Sequence, residues 1–517
     1  MVPAFVAEHP VSARMSRLPL LASISLAAVI VTGAAVSAQD LAPLPELRTG
    51  AWGFDLEGRN AQVKPGDDFF AYANGGWLDA LEIPADRSRF GIDYILADQA
   101  ERRVLEMLKA TDTPTGPAAA EAVKTRALYR AFMDEKRVNA LGARPLAADL
   151  GYIRAAKSRD ALATGMAKVG SFQGSLFGFY IEQDAKTPNR YAVYLSQAGL
   201  GLPDRDYYLK PDFAAKKAKY EAYVAQMLRL SGYAGADAEV QAKAVVGFET
   251  RVAEASWTRV DRRDANKTYN PMSVAELART APGFPWRSFL NAGELKGVNR
   301  VIVGENTAFP KIAKIWSETD LATLKAWAAF HLADNASPYL SDPFEEARFA
   351  FRGTVLTGQP KDRPRWKRAV GLANGAMGEA VGRVYVAKYF PPEAKAKIGA
   401  LVDNLKVAMR ARIDGLDWMG AATKAKAKRK LDTMVVKLGY PDKWRDYAKL
   451  TVSPTDLYGN VERANAFEWR RQVARLNQPV DKAEWGMTPQ TVNAYYNPAS
   501  NEIVFPAAQD RKSTRLN

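Results

Sequence analysis

The chain has 517 residues, 47% hydrophobic and 25% charged, and carries a formal net charge of +15 at pH 7. That length exceeds what one ordinary core holds, so two or more domains are expected, and the composition excludes a disordered or fibrous chain. Cysteine is absent, which excludes thiol nucleophiles and thiolate metal sites, and the basic stretches 361–368 and 424–430 read as solvated faces, so no nucleic-acid partner is expected.

Residues 1–38 have the layout of a secretory signal peptide: Arg14 and Arg17, an apolar run over 18–31, then small residues at Val36-Ser37-Ala38. The run is short for a membrane span, which needs about 20 residues. Cleavage would leave no stable membrane insertion, an uncleaved anchor being the alternative; no cysteine follows that could carry a lipid. Export to the periplasm or the exterior is the expected localisation. A linker rich in Ala, Pro and Gly covers 39–60, and an aromatic-dense segment with Phe69, Phe70, Tyr72 and Trp77 follows.

From 99 to 141 the apolar spacing predicts helix. Over 177–196 two β-rich runs flank 184–189, which contains Pro188, and predict a strand pair joined by a longer turn. Helices are predicted to resume near Phe213 and to dominate as far as Leu438. Ser273 and Glu276 fit a capping box, and Pro364 and Pro391-Pro392 mark helix boundaries. Leu431, Met434, Val435 and Leu438 form an apolar stripe at helical spacing. Residues 492–496 and 502–505 are strand-like around a turn at 497–501.

The search for chemistry finds two histidines, His9 and His331. His9 lies in the signal segment, and His331, seven residues after Leu324, reads as a core or boundary histidine rather than a functional one. No H-E-x-x-H, G-x-S-x-G, P-loop or G-x-G-x-x-G fingerprint is present. The pairs Asp67-Asp68 and Asp204/Asp206 have the chemistry for acid–base work, but lie beside Pro and Gly, where Asp commonly satisfies loop backbone.

Several segments nevertheless resemble the neprilysin family of zinc metallopeptidases, which includes the endothelin-converting enzymes and bacterial oligopeptidase O. They are Pro65-Gly-Asp-Asp-Phe-Phe-Ala-Tyr-Ala-Asn-Gly-Gly-Trp77, Gly201-Leu-Pro-Asp-Arg-Asp-Tyr-Tyr-Leu209 and Tyr269-Asn270. Trp418-Met419 with Leu438-Gly-Tyr-Pro-Asp-Lys-Trp444, and Val492-Asn-Ala-Tyr-Tyr-Asn-Pro498 with Asn501-Glu-Ile-Val-Phe-Pro-Ala507, complete the series in order. The resemblance implies a mainly α fold with small β elements: a helical cap at 101–435 plus an incomplete thermolysin-like catalytic domain. Residues 61–100 would pack on that domain and 436–508 would begin it.

The resemblance also implies that Asn493, by its side-chain amide, and Ala494, by its backbone, hold an extended peptide on an edge strand. Zinc is the family's cofactor, bound by H-E-x-x-H and a later Glu, and small peptides are its substrates, with apolar selection after the cleaved bond. This chain offers no catalytic and no metal-ligating residue of that kind, so it is expected to be inactive in peptide hydrolysis. The polar stretch 509–517 departs from the family and reads as a non-native tail on a truncated frame. An edge strand without its sheet, and with an unpartnered apolar face, is then expected. A zinc-independent peptide-binding module and an envelope scaffold are the alternative functions.

Overall fold

Between residues 92 and 141 the expected helical stretch is three helices, Ile92–Lys109, Ala119–Met133 and Glu135–Leu141. Asp134 makes the last break, because its side chain accepts the Arg137 N–H and caps the third helix where the second ends. The structure is a computed structural model and describes residues 55–112, 115–116 and 118–512. The expected signal peptide, residues 39–54 of the linker and residues 513–517 of the polar tail lie outside the described residues. Within them the chain is mainly α, with seven strands in two small sheets, and no helix is long and apolar enough to cross a membrane.

The first sheet has the order β1-β2-β4-β3, with β1 Phe177–Asp184, β2 Thr187–Gln197, β3 Asn270–Ser273 and β4 Arg300–Val303. The β1–β2 hairpin is the expected strand pair, but its turn is tighter than expected. Asp184 Oδ1 accepts the N–H groups of both Lys186 and Thr187, at 3.0 and 3.1 Å, so β2 already starts at Thr187. Pro188 is tolerated on the strand because β4 pairs with β2 only at 193–195. Strands β3 and β4 correct the helical reading of 213–438; strands of four residues are too short to show a period. The capping box stands as expected: Ser273 Oγ accepts the Glu276 N–H at 3.1 Å, and Glu276 accepts the Ser273 N–H at 3.4 Å.

Helices pack on this sheet through aromatic side chains. The ring of Phe177 lies 4.8, 4.5 and 4.7 Å from those of Phe284, Trp286 and Phe309, all fully or nearly fully buried. Trp327 and Phe330, on the helix Leu321–Ala336, extend the core towards Phe248 and Tyr220.

The second sheet has the order β5-β7-β6, with β5 Val435–Gly439, β6 Tyr495–Asn497 and β7 Glu502–Pro506. Here the helical stripe is a misreading. The helix Ala421–Asp432 ends before Met434, and Val436 and Leu438 belong to a strand. With Ile503 and Phe505 they cover one sheet face and pack on Ile398 and Val402 of the helix Pro392–Asp414. The edge strand therefore has a sheet, and the sheet's apolar face has a partner, against expectation. Gly439 closes β5 at φ +76°, where an added Cβ would lie 2.5 Å from the Phe390 ring.

The stretch 361–368 is also corrected: it is packed and ion-paired. Arg363 pairs with Glu101 at 2.6 Å and Lys367 with Asp86 at 2.8 Å, while Arg368 pairs with Glu345. Residues 424–430 lie, as expected, on a largely exposed helix.

Candidate functional site

The segment before β6 is positioned from behind. Gln490 is buried, and its Nε2 donates to Asn374 Oδ1 at 2.9 Å and to Gly378 O at 3.0 Å on the helix Arg365–Tyr389. Thr488 and Pro489 sit so close to Gly378 and Gly382 that a Cβ at either glycine would come within 2.6 Å of them. The chain then turns outward, and Asn493 is exposed. The strand is shorter and later than expected: Asn493 and Ala494 precede it, because pairing with β7 begins at Tyr495↔Val504. Asn493 Oδ1 accepts the Ala494 N–H at 2.8 Å, so these two residues are brought together by a local bond.

Strand β6 has β7 on one side and no described strand on the other. Its first residue is locked: Tyr495 Oη accepts the Gly486 N–H at 2.8 Å and donates to Glu502 Oε1 at 3.3 Å. Burial pushes the Tyr495 phenol up to about 12, so it remains a donor at neutral pH. Glu502 also takes Lys437 Nζ at 2.7 Å, a buried pair tying β5 to β7, and the same ammonium donates to Glu484 O at 2.6 Å.

Through Glu484 the sheet is joined to a cavity of about 680 Å³ beside it, lined by Trp444, Trp485, Phe467, Arg445, Arg470 and Arg471 among others. Arg471 and Arg475 both pair with Glu484, and Glu468 pairs with Arg471 at 2.8 Å and Arg445 at 3.0 Å. Burial pushes the Glu468 carboxyl up, but hydrogen bonds from Arg471 and the Arg445 charge more than offset it and hold the group below its ordinary range. Of this wall only the segment ending in Trp444 carries a motif in the sequence; the arginines and glutamates do not. The available signal is a stripe of Arg463, Phe467, Arg470 and Ala474 at helical spacing on the helix Leu457–Arg475.

The remaining candidates are structural. His331 is buried, and its Nε2 lies 2.7 Å from Glu249 Oε1, while Tyr208 and Tyr220 donate to Glu249 Oε2 at 2.7 and 2.8 Å. Asp68 caps the helix Phe69–Asp79 by accepting the Ala71 N–H. Asp204 binds the Asp206 N–H and Arg259, and Asp206 pairs with Lys210. Zinc tests the donor set directly. Among the described residues no three His, Asp or Glu side chains come together as metal ligands, and Glu249, beside the buried histidine, is already engaged by three protein groups. The described residues do not fit zinc.

Comparison with known proteins decides the family, since the model described as Peptidase family M13 matches residues 65–441. The chain belongs to peptidase family M13. Mouse endothelin-converting enzyme-like 1 is 30% identical over 476 residues, 87% of this chain and 60% of that protein. The chain thus spans less than two thirds of that relative's length. The M13-like structures include zinc metalloprotease Zmp1 of Mycobacterium tuberculosis bound to an inhibitor, with TM-score 0.83 and 39% identity, covering 88% of this chain and 70% of that one. PepO from Lactobacillus rhamnosis gives TM-score 0.77 and 26% identity over 86% and 71% of the two chains.

The M13-like motifs now have physical reasons. In Gly201–Leu209 the Tyr208 hydroxyl accepts the Gly201 and Leu202 N–H groups and donates to Glu249, closing the loop on the core. Tyr269 donates to Asp184 at 2.7 Å, and Asn270 Nδ2 to Val303 O at 3.0 Å, pinning β3 to the sheet. Tyr440 stacks on Trp444 at 6.0 Å, turning that indole into the cavity wall.

Proposed function

We propose that this chain is the peptide-holding part of an exported zinc metalloendopeptidase of small peptides, and that it binds an extended peptide at β6 without cleaving it. The observation that carries this reading is the side of β6 that pairs with no described strand, with Asn493 and Ala494 just before it. An extended peptide would add as a further strand, its backbone completing hydrogen bonds that β7 leaves unmade on that side. The local bond uses Asn493 Oδ1 and the Ala494 N–H, leaving Asn493 Nδ2 and the Ala494 carbonyl for a peptide.

In this reading residues 101–435 form the cap, 61–100 and 436–508 belong to the catalytic domain, and the protein works in the periplasm or outside the cell. Zinc would be the Lewis acid of the intact enzyme. Its H-E-x-x-H donors are not in these 517 residues, so no chemical step is assigned to this chain.

The test is fluorescence-polarisation titration of labelled peptides in chelator, with mass spectrometry of the same mixtures. Saturable binding, weakened about tenfold in Asn493→Ala by loss of a hydrogen-bonding pair, is expected, with the peptides intact. Zinc-dependent cleavage, or binding unaffected by Asn493→Ala, would overturn the proposal.

A further inference from the structure

The helix Leu457–Arg475 separates two cavities. Phe467 and Arg470 face the one beside β6, whereas Val461, Ala464 and Glu468 face a second of about 650 Å³ on the other side. The second cavity is lined by four arginines, Arg348, Arg352, Arg363 and Arg368, and by the rings of Phe132, Tyr339 and Phe349. A π-helical segment, Phe349–Val355, forms part of the wall and directly follows Arg348. The Phe349 ring lies on Gly353 so closely that a Cβ there would be 2.4 Å from it. Only glycine at 353 lets that ring line the cavity in this position.

Three of the four arginines are committed. Arg352 grips Asp334 with Nε at 2.8 Å and a second bond from Nη2, and donates to Gly201 O at 3.1 Å. Arg363 pairs with Glu101, and Arg368 with Glu345. The carboxylates on the wall are likewise answered: Glu345 and Asp362 by Arg368, and Glu468 by Arg445 and Arg471. Arg348 is different. It is half-buried, lines the cavity, and has no ion-pair or hydrogen-bond partner among the described residues. Beside it the Nε atoms of Arg363 and Arg368 are buried without a hydrogen-bond partner.

One uncommitted guanidinium amid paired charges and aromatic walls matches a single negative charge on an apolar stem. A phosphate dianion would be only half compensated. The planar fork of arginine suits a carboxylate, and the volume suits a short peptide segment, pockets for small ligands running to about 300–1,000 Å³. The geometry points to this cavity as a recognition site for a carboxylate carried by a bound peptide, either an acidic side chain or the C-terminus, with Arg348 as the residue that takes the charge. The inference rests on the peptide-binding reading above and adds a charge preference to it.

Three N-acetylated peptides that differ only at the last residue test it by calorimetry on the full chain: Gln-amide, Glu-amide and Gln free acid. At least one anionic peptide is expected to bind about tenfold tighter than the Gln-amide; whether Glu-amide or the free acid does so tells side chain from terminus. That preference should vanish in Arg348→Gln and return in part in Arg348→Lys, while Asn493→Ala weakens all three alike. Equal binding of the three, or a preference surviving Arg348→Gln, overturns the inference and leaves the edge-strand reading intact. No binding of any of them removes both. Circular dichroism of the half-exposed Arg348 variants separates lost recognition from lost folding.

Discussion

The surroundings of His331 and those of β6 are built on opposite principles. Around His331 the groups that burial strips of water are answered within the chain: one carboxylate, Glu249, engages a histidine and two tyrosine hydroxyls, and Trp327 packs against the imidazole at 4.5 Å. Around β6 the chain leaves groups on offer. No described strand pairs with the second side of β6, Asn493 is exposed, and the helix Pro392–Asp414, which packs on the sheet, turns Leu401, Leu405 and Met409 to solvent at 48%, 54% and 52% exposure. Burial of a polar residue is therefore a poor guide to function here. The histidine, the first residue a search for chemistry finds, belongs to the finished interior, and the proposed binding edge lies where packing is less complete.

The largest effect expected from breaking this contrast is in the interior. Trp327→Ala removes a fully buried indole beside His331 and should cost about 3–5 kcal/mol, read as a shifted urea midpoint at unchanged m-value. A loss below about 1 kcal/mol would mean that this region is no tighter than an ordinary surface.

A smaller effect is expected at Asp184, fully buried at the β1–β2 turn. Burial pushes its carboxyl up, but hydrogen bonds from Tyr269, the Lys186 N–H and Arg300 outweigh it, and the group is held below its ordinary range. A depressed carboxylate stabilises the fold above its unfolded pKa of about 3.9, and that stability is lost as pH falls through the folded value. Asp184→Asn should therefore be less stable at pH 7 by about 1–3 kcal/mol and should show a flatter stability profile below about pH 4 than the parent chain. Parallel profiles for the two proteins would refute the assignment.

The smallest change in stability is expected on the open side. Leu405→Glu should alter stability by less than about 0.5 kcal/mol, because the side chain is already half in water. It should at the same time reduce self-association in sedimentation-velocity runs, since the Leu401–Leu405–Met409 stripe is an exposed apolar surface. Destabilisation on the scale of Trp327→Ala would place this stripe in the packed interior and erase the contrast.

Much of the plan was legible in the residues themselves. Helix starts at Ser273, Pro364 and Pro391, the β1–β2 hairpin, the core or boundary character of His331 and the backbone-satisfying role of Asp68 follow from local chemistry that neighbours in sequence supply. The motifs from Pro65 to Ala507 likewise sufficed for the family. What the residues alone misplaced depends on distant partners. Leu431 to Leu438 carries a helical spacing, yet Val435–Gly439 becomes a strand because β7, more than sixty residues later, supplies its hydrogen bonds. Arginines 363 and 368 read as solvated until the fold brings Glu101 and Glu345 to them. Periodicity and capping act within a few residues and are written in the sequence. Strand pairing and the neutralisation of buried charge join residues far apart in the chain, so which edge stays open and which arginine stays unpaired were decided only by the tertiary structure.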